Sequence, residues 1–347
     1  MERRRSRAPG VRRSVAAMTL TSHQHAGGSD VAVSLIAAEL GRVRDLLVSQ
    51  LTSRGGTEEV ERLLKYVGQR GGKMLRPALL LLSGLAAGAL TDKHIRAGAI
   101  IEMIHTATLL HDDVIDGGQI RRGMPTVNRM WGNEPAVLVG DYLLSHAFCL
   151  CTGLDREPAR IIAEATTQVC EGELTQITQK HNWDLTEPQY IEIITDKSAS
   201  LFAAACRVGA HLANGCPSLC DQLAAFGLSM GVAFQITDDL LDLTGDESRA
   251  GKTLGADIDN DKPTLALIHL LGHCDQARRA AIQALVEADD RREELSAALS
   301  AAGSLDYARD KARRCIDRSL DILGCVRPSP ARDALGALAG HIVERTR

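Results

Sequence analysis

Aromatic side chains are scarce in this chain. Two Trp, four Tyr and four Phe make up 3% of its 347 residues, too few to surround a large cavity with π-faces able to steer a cationic species. Excess positive charge is also missing: the net charge is −4 and the pI about 6.3, which argues against general nucleic-acid binding. None of the nine cysteines (Cys149, Cys151, Cys170, Cys206, Cys216, Cys220, Cys274, Cys315, Cys325) falls in a CxxC. Neither a disulfide framework nor a zinc site is expected, and a reducing, cytoplasmic setting is. No apolar run is expected to reach the length of a membrane span. Low-complexity linkers and short-period repeats are absent, so one large domain is the simplest organisation.

What the chain has in abundance is Ala and Leu at helical spacing, punctuated by Gly and Pro. From Val31 to the C-terminus almost every segment reads as helix, and the expected fold class is an all-α bundle over residues 31–347. The segment "KHIRAGAIIEMIHTATLLHDDVID" is apolar on all sides and is expected to be a central, buried helix. The first thirty residues differ in kind. Six Arg and a single acid, Glu2, fall in the first thirteen positions, a composition shared with organelle transit peptides. No amphipathic period accompanies it, so a disordered extension, or a true start at Met18, is the preferred reading.

Two aspartate clusters of the same form stand far apart: "DDVID" (Asp112, Asp113, Asp116) and "DDLLD" (Asp238, Asp239, Asp242). In a helix, residues i and i+4 share a face, so each cluster points its carboxylates together. A single such string is commonly a solvated helix face. Two copies inside apolar helices, each near basic motifs, need a cation to relieve the repulsion. Hard oxygen ligands suit Mg²⁺, which retains waters and is completed by phosphate oxygens. The pattern implies a diphosphate held between two helices by several metal ions.

Basic residues complete this picture. His105 precedes Asp112 by seven residues and shares its face. Arg121 and Arg122 follow the first cluster in the Gly-flanked loop "GGQIRRGMP", where guanidinium geometry suits phosphate. In "GGKMLRP", paired glycines permit close backbone approach and Lys73 and Arg76 stand at a helix start, a site for an anion without metal. Gln235, Asp238, Asp239 and Asp242 share one face of the helix "FQITDDLLD". Lys252, Asp257, Asp261 and Lys262 follow in a loop, and Lys197 in "TDKSAS" is a cation within an apolar helix that needs a partner.

These blocks together resemble the trans-polyprenyl diphosphate synthases, the head-to-tail isoprenyl transferases. "GGKMLRP", "EMIHTATLLHDDVID", "RRGMPT", "LVGDYLL", "EGELTQ", "DKSASLF", "FQITDDLLD" and "KTLGADIDNDKPT" follow the family's order, and the octaprenyl-type, long-chain members are the nearest subgroup. Ser198 stands where the family usually has Thr. The resemblance implies an isoprenoid-synthase bundle with a central cavity. It also implies Mg²⁺, three ions per site, held by the six aspartates. Arg121, Lys197, Gln235, Lys252 and Lys262 would then contact an allylic diphosphate, and Ser198 would be a further substrate-binding residue. Lys73, Arg76, His105 and Arg122 would hold isopentenyl diphosphate. Catalysis would centre on Asp112, Asp113, Asp116, Arg121, Lys197, Asp238 and Asp239, in a homodimer serving quinone side-chain synthesis. In short-chain relatives an aromatic ring at the position of Ala107 or Thr108 closes the pocket. Both are small here, so a product of about six to ten isoprene units, C40 as the centre, is expected, with Phe148 as a candidate floor.

A farnesyl- or geranylgeranyl-length synthase is the nearest alternative. A class I terpene cyclase is disfavoured by the low aromatic content, the repeated DDxxD and the second basic set. A regulatory subunit of a heteromeric synthase is disfavoured because all six aspartates and both arginines are kept.

Overall fold

The structure, a computed structural model, describes residues 33–52, 56–70, 72–244, 262–286 and 292–344. The Arg-rich leader, Lys252, Asp257 and Asp261 lie outside the described residues. The described residues form an all-α bundle with a single small hairpin. Helices α1 (Ala37–Gln50) and α2 (Glu58–Gln69) precede α3 (Leu75–Ala87) and α4 (Asp92–Ile115). Thr57 caps α2 by accepting from the Val60 N–H, and Glu58, Glu59 and Glu61 fill its first turn, where the helix dipole favours acids. Thr91 and His94 form a capping box at the start of α4.

Helix α4 is the expected central helix. His94 to Ile104 are buried almost without interruption, and α4 packs on α1, α3 and α6 (Asn133–Cys151). Helix α5 (Val127–Trp131) links the hairpin to α6. Helices α7 (Arg156–Thr178) and α9 (Ser200–Leu212) pack together, and α9 packs on both α3 and α10 (Pro217–Thr244). Helix α10 spans two apolar cores, giving Phe226 and Met230 to one and Ile236 and Leu240 to the other. The second core is closed by α8 (Glu187–Ile194), α11 (Leu265–Gly272), α12 (Gln276–Val286), α13 (Arg292–Ala301) and α14 (Ser304–Leu323), and α15 (Pro330–Glu344) packs back on α3 and α14. All nine cysteines are free.

Four features depart from the sequence reading. The Arg121-Arg122 loop is a β-hairpin, β1 (Ile120–Arg121) paired with β2 (Met124–Pro125). Arg122 and Gly123 both have positive φ (55° and 72°), the two-residue turn whose twist matches antiparallel strands. Two-residue strands are too short for alternation to reveal them. Second, the helix carrying Lys197 is broken by a π-helical turn, Thr195–Ala199, between α8 and α9. Third, α10 is long and apolar enough by length and composition to cross a membrane. Here it is a core helix whose last turns carry Asp238, Asp239 and Asp242. Fourth, Phe148 is 63% exposed and does not floor a cavity within this chain. Helix α6 turns Ala136, Val139, Gly140, Leu143 and Ala147 inward, and Phe148 follows Ala147 by one residue, about 100° around the helix.

Close helix approach rests on particular glycines. A Cβ on Gly209 of α9 would stand 2.0 Å from the Leu80 carbonyl oxygen of α3, whereas one on Gly340 of α15 would meet nothing within 4 Å. Gly209→Ala is expected to lower unfolding free energy by about 2–3 kcal/mol through overpacking. Gly340→Ala should raise it by about 0.5–1 kcal/mol through helix propensity. Urea denaturation of both variants measures the pair, and similar effects of one sign would contradict this packing.

Candidate active site

The first aspartate cluster closes α4. Asp113 is 2% exposed, and its Oδ1 accepts from Arg121 Nε at 2.6 Å. The hairpin is bound to this helix end by its backbone. The Gly118 N–H donates to the Asp113 carbonyl, Asn128 Nδ2 donates to the carbonyls of Asp113 and Gly118, and Thr126 Oγ1 donates to Gly118. Helix α2 grips the other side, with Tyr66 OH donating to the Pro125 carbonyl and Arg122 Nη1 to the Arg70 carbonyl. Arg121 is thereby fixed against the carboxylates rather than waving from a loop.

Lys197 reaches the same cluster from the π turn. Its Nζ donates to Gln176 Oε1 at 2.7 Å and pairs with Glu173, both on α7. Gly172 makes this approach possible, since a Cβ there would stand 2.3 Å from the Lys197 backbone nitrogen. Burial works against the ammonium, but Asp112 and Glu173 outweigh it and hold Lys197 above the ordinary lysine value. Lys262, 7% exposed, donates from Nζ to Asp116 Oδ2 at 2.6 Å and so brings the chain beyond α10 to the first cluster.

The second cluster sits in the last turns of α10. Asp239 Oδ1 accepts from Gln235 Nε2 at 2.8 Å and Oδ2 from Tyr190 OH at 2.6 Å. Ser198 Oγ in turn donates to Gln235 Oε1 at 2.6 Å. Asp239 is thus oriented by α8, the π turn and its own helix together, and Asp242 is 1% exposed beside it. Arg121 ties the two clusters to one cleft. Burial would lower its pKa, yet the charges of Asp113, Asp112 and Asp238 prevail and raise it.

Residues 72–77 form a basic wall of the cleft. Lys73 is exposed just before Met74, whose φ of 53° turns the chain into α3. Gly72 lies against the Arg122 guanidinium, 2.5 Å from where a Cβ would stand, which joins this loop to the hairpin. Arg76 is 8% exposed with its guanidinium 4.5 Å over the Phe202 ring. Burial lowers its pKa to about 10, still far above neutrality. His105 lies beneath these arginines. Burial, then the charges of Arg76, Arg122 and Arg121, hold it well below the ordinary imidazole value and keep it neutral. Ala107 is fully buried on α4, and Thr108 is partly buried with its hydroxyl donating to the His105 carbonyl.

The donor set fits a divalent cation of the hard kind. Burial raises Asp112 to about 6, against the pull of Lys197, and raises Asp113 despite Arg121. Asp113 Oδ2 is buried without a hydrogen-bond partner. Among the described residues no three His, Cys, Asp or Glu side chains converge as a complete metal cage. Mg²⁺ suits such an incomplete set, because it takes further ligands from water and phosphate.

Several contributors were not assigned from sequence. Glu173 and Gln176 lie three apart in "EGELTQ", spacing that shares a helical face, and that was the available signal. Tyr190 reaches Asp239 across 49 positions, and Glu102 lies 3% exposed on α4; nothing local in the sequence marks either.

The signature of the polyprenyl synthetase family spans residues 57–302. The chain is 36% identical over 317 residues to octaprenyl diphosphate synthase of Escherichia coli, covering 90% of this chain and 98% of that one. It is 38% identical to an all-trans-nonaprenyl-diphosphate synthase of Rhodobacter capsulatus, over 81% and 87% of the two chains. A crystal structure of polyprenyl synthase from Caulobacter crescentus, complexed with calcium and isoprenyl diphosphate, superposes with a TM-score of 0.87 at 33% identity, covering 94% of this chain and 99% of that one. The chain therefore belongs to the polyprenyl synthetase family, the prenyl-transferring polyprenyl diphosphate synthases.

Proposed function

We propose that this chain condenses isopentenyl diphosphate head-to-tail onto an allylic diphosphate and repeats the step to an all-trans product of about C30–C50, centred on C40, for quinone side chains made in the cytoplasm. The observation that carries the reading is the meeting of two acidic helix ends and a separate basic wall around Arg121. One diphosphate suits the acidic side with metal, the other the basic side without it. The octaprenyl and nonaprenyl names of similar synthases favour the long product; geranylgeranyl synthases of 32–33% identity keep the shorter one as alternative.

Mg²⁺, when bound between the aspartates, supplies electrostatic stabilisation of the leaving diphosphate. Arg121, Lys197 and Lys262 sit where they would share that charge, each already desolvated and aimed. Lys73, Arg76 and Arg122, with neutral His105, would hold isopentenyl diphosphate so that its double bond faces the allylic carbon as the C–O bond ionises. The new C–C bond forms, a proton is lost to the departed diphosphate, and the lengthened tail runs along α4 past Thr108 and Ala107. A homodimer belongs to the same proposal, supported by Val137, Leu138 and Phe148, exposed on one side of α6.

Four measurements test the reading. Asp112→Ala or Asp238→Ala should reduce incorporation of labelled isopentenyl units by orders of magnitude with the fold intact; near wild-type turnover at saturating Mg²⁺ would sink the two-cluster model. Lys73→Ala should raise KM for isopentenyl diphosphate about tenfold and Lys252→Ala that for the allylic partner, whereas equal effects on both substrates would contradict the division. Ala107→Phe or Thr108→Phe should shorten the product while sparing the first condensation; unchanged product length on chromatography would remove the tail from this face. Phe148→Glu should yield monomers by light scattering, and an intact dimer would place the interface elsewhere.

A further inference from the structure

Glu102 is a buried acid that the proposed reaction leaves without a task. It lies on α4, three residues before His105, with Oε2 shut away from water and without a hydrogen-bond partner. Across from it Arg76 is also buried, and its Nε has no partner either. The two side chains feel each other's charge, yet no hydrogen bond joins them. A carboxylate among guanidiniums weakens an anion site, so its presence at this position calls for a reason.

We propose that Glu102 is the internal counter-ion of the metal-free site: ionised while the site is empty, it offsets part of the charge of Arg76 and Arg122, and it takes a proton from solvent when a diphosphate binds those guanidiniums. This inference rests on the basic wall being a diphosphate site. Arg122 lowers the affinity of Arg76 for its proton, and Arg121 and Arg70 do the same to Arg122, whereas Glu102 raises it in both. Glu102, which Arg76 and Arg122 both act on, offsets one of their two positive charges in the empty site. An arriving diphosphate supplies that negative charge in excess and leaves Glu102 as a surplus anion in a dry position, where protonation is the available relief. Only one bond is made in this step, the O–H of the neutral acid. Glu102 acts as a positioning residue, since it touches no reacting atom.

The surroundings agree. Burial raises the Glu102 pKa, and the charges opposing that rise are Arg76 from α3 and Arg122 from the hairpin, the groups a diphosphate would neutralise. His105 on the same helix is held neutral. Asp238 from α10 acts on Arg76, and α9 presents the uncharged Phe202 ring there.

The test is calorimetric titration of isopentenyl diphosphate into the full-length protein with EDTA present, in buffers of different ionisation enthalpy and across pH. The complex holds the extra proton, so affinity should fall as pH rises, by up to about tenfold per unit for one full proton. Glu102→Gln should show only the pH dependence of the ligand's own ionisation. Absence of proton uptake in the wild type, or equal uptake in Glu102→Gln, overturns the proposal. Should the Gln variant not fold, His105→Asn decides, because uptake that disappears there belongs to the imidazole and overturns it, whereas uptake that persists supports Glu102. Failure of the wild type to bind at all without metal would instead overturn the reading of the basic wall.

Discussion

Carboxylates and cationic groups share the interior of an apolar helical bundle, and each is tolerable there because the other is at hand. Arg121 on Asp113, Lys262 on Asp116 and Lys197 beside Glu173 and Gln176 are the contacts on which the cleft depends. Their net contribution to stability is small, since desolvation cancels most of the attraction. Removing one member costs far more, about 3–5 kcal/mol, because it strands the other. The same arrangement suits the reaction. Groups already stripped of water and fixed in direction need little reorganisation when a diphosphate replaces a carboxylate as their partner.

Bringing those charges together requires backbones to approach more closely than side chains normally allow. Gly172 admits the Lys197 backbone and Gly72 admits the Arg122 guanidinium. The π turn at Thr195–Ala199 inserts its wider loop where α7 and α10 converge, and Lys197 and Ser198 leave that turn toward different clusters. Wide turns of this kind commonly mark functional positions within helices. The site is assembled from six separate stretches of chain, so its precision derives from helix packing more than from loop structure.

This explains which parts were legible beforehand. Helix α4 announced itself because an all-round apolar sequence ending in carboxylates has few other places to go, and both aspartate clusters could be read from i, i+4 spacing alone. The π turn leaves no local trace in the sequence, and the residue its backbone packs against, Gly172, lies in another helix. The Tyr190–Asp239 and Lys262–Asp116 contacts join residues far apart in sequence and follow from the bundle's topology. Phe148 lies away from its expected place for a related reason: which side of α6 faces α4 is decided by Gly140, Leu143 and Ala147 as a set. Length determination at Ala107 and Thr108 is an expectation from family resemblance and belongs to the proposed function.

Helix polarity gives the cleft its division of labour. Both aspartate clusters occupy the last turns of their helices, α4 ending at Ile115 and α10 at Thr244. There the helix dipole adds a partial negative charge to that of the side chains. Two negative helix ends turned toward one cleft cannot accept a diphosphate unaided, so the proposed allylic site needs divalent cations beyond the three basic side chains. Helix α3 enters the cleft by its opposite end. Its positive end, with Lys73 before it and Arg76 in the first turn, suits the proposed diphosphate site that needs no metal. The dipole adds only about 0.3–1 kcal/mol at each end, much less than a buried ionic contact, but its sign agrees with the side chains in all three helices. The proposed distinction between a metal-dependent and a metal-free diphosphate is therefore matched twice, by side-chain charge and by chain direction. Moving aspartates into α3 or lysines into α4 would set the two against each other.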